Sequence, residues 1–346
     1  MSLSIGIVGL PNVGKSTLFN ALVKTRQAEA SNYAFCTIDP NIGIVSVPDE
    51  RLQKLADIVK TEKIVPATVE FIDIAGLVKE AHKGEGLGNK FLSHIREVDA
   101  ICMVLRCFED ANIMHVTGKI DPKDDFETII TELELADLES TEKQKNKETK
   151  KQEKKDKSIN ESHFAKATRD AQANINSLSH KPMIFAANVS EKDANLTSQE
   201  IIKKYNLDFI KDPEQLIVIS AKVEEDLIDL NPEEQKEYLS TLNLNKSGLD
   251  RLIQTAFHTL GLQTYFTAGP IEARAWTIKI GDKAPVAAGK IHTDFEKGFI
   301  KANVISYEDF IKYNGELGAR NAGKLRQEGK DYIVKNGDVI EFLFNV

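Results

Sequence analysis

The chain alternates between two hydrophobic rhythms. Short, nearly unbroken apolar runs appear as SIGIVGL, TVEFIDI, DAICMVLRC, PMIFAAN and QLIVISA, and between them lie helical patterns such as KSTLFNALVKT. Runs rich in Ile and Val, bounded by Gly or Asn, suit strands covered on both faces, where neither side meets water. Helical stretches between such strands predict a doubly wound α/β domain built on a parallel sheet.

Two departures break this rhythm. Leu133 and Ala136, and later Phe164, Ala167, Ala171, Ile175 and Leu178, recur at helical spacing. The run between the two sets, STEKQKNKETKKQEKKDKS, holds no large apolar residue. Two antiparallel helices with a solvated, lysine-rich far end are therefore expected, inserted into the α/β domain. From Phe266 onward RAWTIKI and DYIVKNGDVIEFLFNV alternate as strands do, with Asn336-Gly337 placed to turn a hairpin. KGFIKANVISYEDFIKYN, between them, supplies a short helix and a strand. The expected organisation is an α/β domain over 1–126 and 181–265, a helical insert over 127–180, and a small α+β module over 266–346.

Bulk composition narrows the class without naming a chemistry. With 41% hydrophobic and 28% charged residues in 346, the chain has the make-up of a soluble globular protein. No apolar run approaches the ~18 residues of a membrane span. LSIGIVGL has no basic stretch before it and no small-residue cleavage site after it, so it is expected to be a buried strand and not a signal peptide. Cys36, Cys102 and Cys107 form no C-x-x-C pair and fit no zinc spacing, which suits reduced thiols in a cytoplasmic protein. A net charge of −8 argues against polyanion binding by the whole surface. The lysine-rich end of the insert is left as a basic point for RNA phosphates or, more blandly, a solvated helix.

The chemistry is concentrated in a few loops. Gly9-x-x-x-x-Gly14-Lys15-Ser16 follows one predicted strand and opens a helix, the phosphate-loop arrangement. Backbone amides across Asn12, Val13, Gly14, Lys15, Ser16 and Thr17 would turn inward on phosphates at the helix N-terminus. Lys15 would reach the outer phosphates, and the Ser16 hydroxyl would ligate Mg²⁺. Asp73-Ile74-Ala75-Gly76 closes TVEFIDI; its aspartate would hold the metal through water, and the Gly76 amide would sense the γ-phosphate. Thr37, in FCTIDPN, is the candidate second hydroxyl on the metal, in a loop of the kind that orders around γ-phosphate. AANVSE and Ser220-Ala221-Lys222 each follow a strand, where a doubly wound sheet places its base contacts.

These segments resemble the Obg-like ATPases, the YchF family of P-loop proteins. GIVGLPNVGKSTLFNAL, FCTIDPN, DIAGLVK, KGEGLGN, RCFED, QTYFTAG, RAWTI, AAGKIHTDFEKGFI and GKDYIVK are all similar to family segments, and together they span nearly the whole chain. The resemblance implies a GTPase-like domain, an inserted helical coiled coil and a C-terminal TGS domain of β-grasp type. It further implies ATP as substrate, Mg²⁺ as cofactor and association with ribosomes. The helical insert is shorter and more polar than the family pattern.

The base-reading loop carries the sharpest question. GTPases read guanine with Asn-Lys-x-Asp, and here the four positions are Asn188, Val189, Ser190 and Glu191. Val189 removes the lysine's charge, and Glu191 sets the carboxylate one methylene further out. Asn188 is expected to donate to a ring acceptor of adenine and accept from its exocyclic amine, the complementarity Asn shows toward adenine elsewhere. An ATPase is therefore expected; the alternatives are a GTPase with a variant loop and a nucleotide-gated RNA or ribosome binder with incidental hydrolysis. Leu77 occupies the place where Ras-like enzymes carry a water-orienting Gln, so slow intrinsic turnover is expected. His115 resembles a family histidine that takes part in hydrolysis, and Asn12 marks a candidate K⁺ site beside the phosphates. His292 lies in a family-like segment, and the remaining histidines fit no metal pattern. Without sustained heptads the chain is expected to be a monomer.

Overall fold

The computed structural model describes residues 3–27, 41–74, 88–110, 119–154 and 177–345. The chain forms two compact units, Met1–Ile44 with Glu70–Thr255 and Val45–Val69 with Ala256–Val346. In chain order the first half contains β1 (Ser4–Val8), α1 (Lys15–Gln27), β2 (Ile42–Ser46), α2 (Glu50–Val59), β3 (Ile64–Val65) and β4 (Thr68–Asp73). Then follow α3 (Gly88–Glu97), β5 (Ala100–Cys107), α4 (Pro122–Lys154), β6 (Met183–Val189), α5 (Ser198–Lys204) and β7 (Leu216–Ile219). Three helices follow, α6 (Ala221–Ile228), α7 (Pro232–Thr241) and α8 (Gly248–Thr259), and the first unit ends within α8.

The first unit is built on a sheet of order β2-β4-β1-β5-β6-β7. β1 runs parallel to β4 and β5, and β5, β6 and β7 continue in parallel. Every residue of β1 and of β5 is buried, which is why neither shows an alternating pattern in the sequence. β1's two neighbours lie on opposite sides of it, so its carboxyl end is the point where the winding reverses and where such sheets leave a crevice for ligands. Leu18 and Leu22 of α1 are each 1% exposed, each burial stabilising by about 1.5–3 kcal/mol.

The helical insert begins earlier than the apolar spacing indicates. α4 starts at Pro122, five residues before the expected boundary at 127, with Asp121 accepting from the Asp124 N–H at 3.3 Å. Proline suits the first helical position because its missing N–H has no partner there anyway. α4 continues for 33 residues through the lysine-rich run to Lys154. Its base is buried through Ile129, Leu133 and Ala136. The expected return arm, with Phe164, Ala167, Ala171 and Ile175, lies outside the described residues. Where the chain resumes, the Asp137 carboxylate accepts from Leu178 N at 2.9 Å, Ser179 N at 3.1 Å and the Ser177 hydroxyl at 2.7 Å.

The second unit adds β8 (Leu262–Ala268), β9 (Ala273–Lys279), α9 (Ala284–Ile291), α10 (Thr293–Lys297) and β10 (Phe299–Ser306). It ends with α11 (Tyr307–Lys312), α12 (Glu316–Asn321), β11 (Arg326–Glu328) and β12 (Asp338–Phe344). The sheet order is β11-β10-β12-β8-β9-β3. β8 and β9 form an antiparallel hairpin, while β12 lies antiparallel to β10 and parallel to β8. With α9 laid on one face, where the Tyr265 hydroxyl donates to the Ala287 carbonyl at 2.9 Å, this is a β-grasp.

Two expectations are corrected here. The turn at Asn336-Gly337 exists, with Gly337 at φ +89° and Lys335 N donating to the Asp338 carboxylate at 2.9 Å, but it closes no hairpin. Both edges of β12 are already taken by β10 and β8, so the preceding residues make only an isolated bridge from Ile333 to Lys283. Residues 45–69, expected in the first domain, belong to the second unit. β3 pairs in parallel with β9, and Lys63 meets Glu272 at 2.7 Å. α2 is capped by Asp49 and buries Leu52, Leu55 and Ala56. Adjacent strand residues point to opposite faces, so with Tyr265 turned to α9, Phe266 faces the other way. There the Arg51 guanidinium sits 4.9 Å from the Phe266 ring centroid, and α2 covers the second face of the hairpin. The chain passes into the second unit within β2 and returns within β4. Among the described residues no helix is long and apolar enough to cross a membrane.

Candidate nucleotide site

The loop between β1 and α1 is shaped by backbone demands. A Cβ on Gly9 would stand 2.6 Å from the Val104 carbonyl oxygen of β5. Gly14 adopts φ +99°, and a Cβ there would lie 2.2 Å from Asn188 Nδ2. Asn12 takes the left-handed conformation at φ +64°, which asparagine tolerates better than most residues. Helical bonding begins with Leu18 N donating to the Gly14 carbonyl at 2.9 Å. The first turn of α1 contains no acidic residue, so its N–H groups and dipole form an anion-attracting end. Lys15 is 7% exposed, and its ammonium donates to the Leu10 carbonyl at 2.5 Å. Burial strips its hydration and pulls its pKa down to about 8, with nearby Asp73 pulling the other way. Val13 is fully buried, so its side chain belongs to the core and only its backbone serves the loop.

Asp73 ends β4 as a buried carboxylate, with its own N–H donating to the Asn41 carbonyl at 2.9 Å. A P-loop domain of this type implies a divalent metal. The exposed Ser16 hydroxyl and the Asp73 carboxylate are hard oxygen donors, which fit such a cation. Among the described residues no group of three or more His, Cys, Asp or Glu side chains could hold a metal. Thr37, Gly76, Leu77 and His115 lie outside the described residues.

The base end is organised by Asn188, whose amide already has two partners within the protein. Its Nδ2 donates to the Val13 carbonyl at 2.9 Å, and its Oδ1 accepts from Ala221 N at 3.0 Å. One side chain thus ties the phosphate loop to the start of α6. One amide N–H and one Oδ1 lone pair remain for a purine, and the ring acceptor that the N–H suits is common to adenine and guanine. Through that N–H Asn188 would orient either purine, and any choice between them would fall to the remaining Oδ1 lone pair. β6 runs through Val189 and its side chain is 2% exposed in the core, so it would meet a ligand through its backbone. Glu191 follows on an exposed turn.

Asn12, Gly14, Thr17, Asn188, Val189, Glu191, Ser220, Ala221 and Lys222 line one cavity of about 1020 Å³. Ser220 caps α6 by accepting from Val223 N at 3.5 Å. The same cavity is lined by residues that the sequence patterns did not single out: Phe108, Glu109, Asp110, Lys192, Asp193, Lys204, Tyr205 and Glu225. RCFED, which ends β5 and opens the turn after it at the carboxyl edge of the sheet, was the available signal for the first three. Buried Arg106 fixes that turn, its Nε donating to the Phe108 carbonyl at 3.3 Å. Lys204 and Tyr205 carry no local signal, because α5 brings them in from a separate element. His292, in the second unit, caps α10 by accepting from Asp294 N at 3.2 Å.

A parallel sheet with a phosphate loop at its switch point, an aspartate ending the neighbouring strand and a base cavity beside it define a P-loop nucleoside triphosphatase domain of GTPase type. The family model described as 50S ribosome-binding GTPase matches residues 4–148. The model for the YchF GTPase C-terminal domain, described as a protein of unknown function (DUF933), matches residues 262–345. The chain is 50% identical to the ribosome-binding ATPase YchF of Bacillus subtilis (strain 168) and 50% identical to that of Escherichia coli O157:H7, in each case over 100% of both chains. The solved structure of the Schizosaccharomyces pombe YchF GTPase superposes with a TM-score of 0.86 at 39% identity, covering 99% of this chain and 98% of that one. The chain belongs to the YchF family.

Proposed function

We propose that the protein binds and hydrolyses ATP with Mg²⁺ and acts as a nucleotide-dependent switch on the ribosome. The observation that carries the ATP reading is the base loop. Guanine recognition needs a carboxylate facing the base edge and a lysine along the nucleotide; here the loop has an exposed Glu191 and a Val189 turned into the core. The relatives named ribosome-binding ATPase support the same reading, and the lysine-rich run carried on α4 supports contact with the ribosome. Lys15 neutralises phosphate charge, Ser16, Asp73 and Thr37 hold Mg²⁺, and the Gly76 amide senses the γ-phosphate. His115 takes part in hydrolysis, and K⁺ bound beside Asn12 offsets transition-state charge. The protein works as a cytoplasmic monomer.

The deciding experiment is titration of nucleotide-free protein with ATP and GTP, followed by turnover of each in K⁺ and in Na⁺. ATP is expected to bind more tightly and to be hydrolysed slowly, faster in K⁺. A second reading has its own support, since the solved relative is titled a GTPase. Tighter binding of GTP in the same titration would establish that reading instead.

A further inference from the structure

Beyond Asn188 and the phosphate loop, the cavity wall carries an acid–base pair contributed by two separate elements. Asp193, on the turn after β6, is half-buried, with 23% of its side chain exposed. One carboxylate oxygen accepts from Lys204 Nζ at 2.9 Å and the other from the Ser190 hydroxyl at 3.2 Å. Lys204, the last residue of α5, also lies 5.5 Å from the ring centroid of Tyr205. The Tyr205 hydroxyl donates to the Cys107 carbonyl at 2.7 Å, at the end of β5. The base turn, the end of α5 and the turn bearing Phe108 are thus joined along one wall of the cavity.

The chemistry of the two purines gives this pair a consequence. At the edge that distinguishes them, guanine presents two donors, a ring N–H and an exocyclic amine. Adenine presents a ring acceptor there, which a carboxylate repels. A free acid on the wall favours guanine, and an acid held by an ammonium offers it much less. GTPases place a lysine on the strand-end loop itself, whereas this chain has the buried Val189 there and brings an ammonium from α5. Glu109, Asp110, Glu191, Lys192, Lys222 and Glu225 also line the cavity, so its field is mixed and no single sign dominates.

We infer that Lys204 is a positioning residue for base specificity: by binding Asp193 it withholds that carboxylate from guanine and so sustains the preference for adenine. This rests on the ATP reading above. A purely structural role, fastening the base turn to α5, would weaken both nucleotides equally and leave their ratio alone.

The test uses the full-length, nucleotide-free chain and calorimetric Kd values for ATP and GTP. Lys204→Met keeps the aliphatic stem and removes the charge, and Lys204→Gln is a second variant that retains polarity. Both are expected to shift the ATP-to-GTP affinity ratio toward GTP by about tenfold, the scale of one favourable contact changing hands. Adding Asp193→Asn to Lys204→Met is expected to reverse most of that shift, because the freed acid is then gone. A wild-type preference for ATP with a ratio unmoved in both Lys204 variants overturns the inference. A wild-type preference for GTP overturns the ATP reading itself, so the two failures are told apart in one data set.

Discussion

The two ends of the nucleotide cavity are held in different ways. At the phosphate end, position is set by backbone: Gly9 and Gly14 admit no Cβ, Asn12 is left-handed, and Lys15 is buried against the Leu10 carbonyl. At the base end it is set by side chains reaching across the sheet, with Asn188 joining Val13 to Ala221 and Asp193 joining Lys204 to the base turn. Backbone geometry leaves few substitutions open, whereas a side-chain lattice can be rewired one residue at a time. Phosphate binding should therefore resist change while base preference drifts, which is how a GTPase-type fold comes to carry an altered base loop.

Substitution at the phosphate end should be severe and blind to the base. Lys15→Met is expected to lower turnover by about 10²–10³-fold for ATP and GTP alike, the usual cost of removing a transition-state charge partner. Its depressed pKa adds a pH signature. Phosphates bind the charged ammonium and raise its pKa, so affinity should be flat below pH about 8 and fall above it as the free protein loses that proton. Calorimetry in buffers of different ionisation enthalpy would register the proton uptake; an affinity still flat well above pH 8 would break the assignment.

At the base end, Asn188→Ala strands a buried carbonyl and a buried N–H together. A loss of about 4 kcal/mol in stability is expected, from 1–3 kcal/mol for each unsatisfied group. Chemical denaturation measures that loss, and parallel titrations should show both purine nucleotides weakened to the same degree. A loss confined to ATP would mean that Asn188 reads the base after all.

A smaller effect sits behind the base end. Glu224 of α6 is 3% exposed and accepts from Gly248 N at 2.7 Å, tying α6 to the start of α8. Burial pushes its pKa from 4.5 up to about 7, against the pull of the Gly248 and Leu249 N–H groups and Arg251. Between those values the folded chain holds a proton that the unfolded chain has released, so this group's contribution to stability falls as pH rises from 4.5 to about 7 and is level above. The span is at most about 3 kcal/mol. Unfolding free energies across that range should lose this slope in Glu224→Gln, and a slope that persists would place its origin elsewhere.

What could be read from the sequence follows the same division. The phosphate loop is spelled by residues adjacent in the chain, so its spacing alone carries the geometry. The parallel strands were legible because burial on both faces leaves an unbroken apolar run, as in β5. Asn188 was recognised, but its partners Val13 and Ala221 are distant in sequence, and no local pattern reveals that its amide is already engaged. β6 extends to Val189, beyond the point where the strand seemed to end. The Asn336-Gly337 turn was visible, but its failure to close a hairpin depends on strands already flanking β12. β3, two residues long, announces its pairing with β9 nowhere in its own neighbourhood.

That small strand and its helix matter for how the molecule is assembled and divided. Residues 45–69 leave the ribosome during synthesis long before the hairpin whose second face they cover, so the later unit is finished only when an early segment finds it. A fragment cut to start at Leu262 would keep most of the β-grasp yet expose the ring of Phe266, which is fully enclosed in the intact chain. Anyone preparing that region alone should graft the early segment back on rather than trust a contiguous boundary.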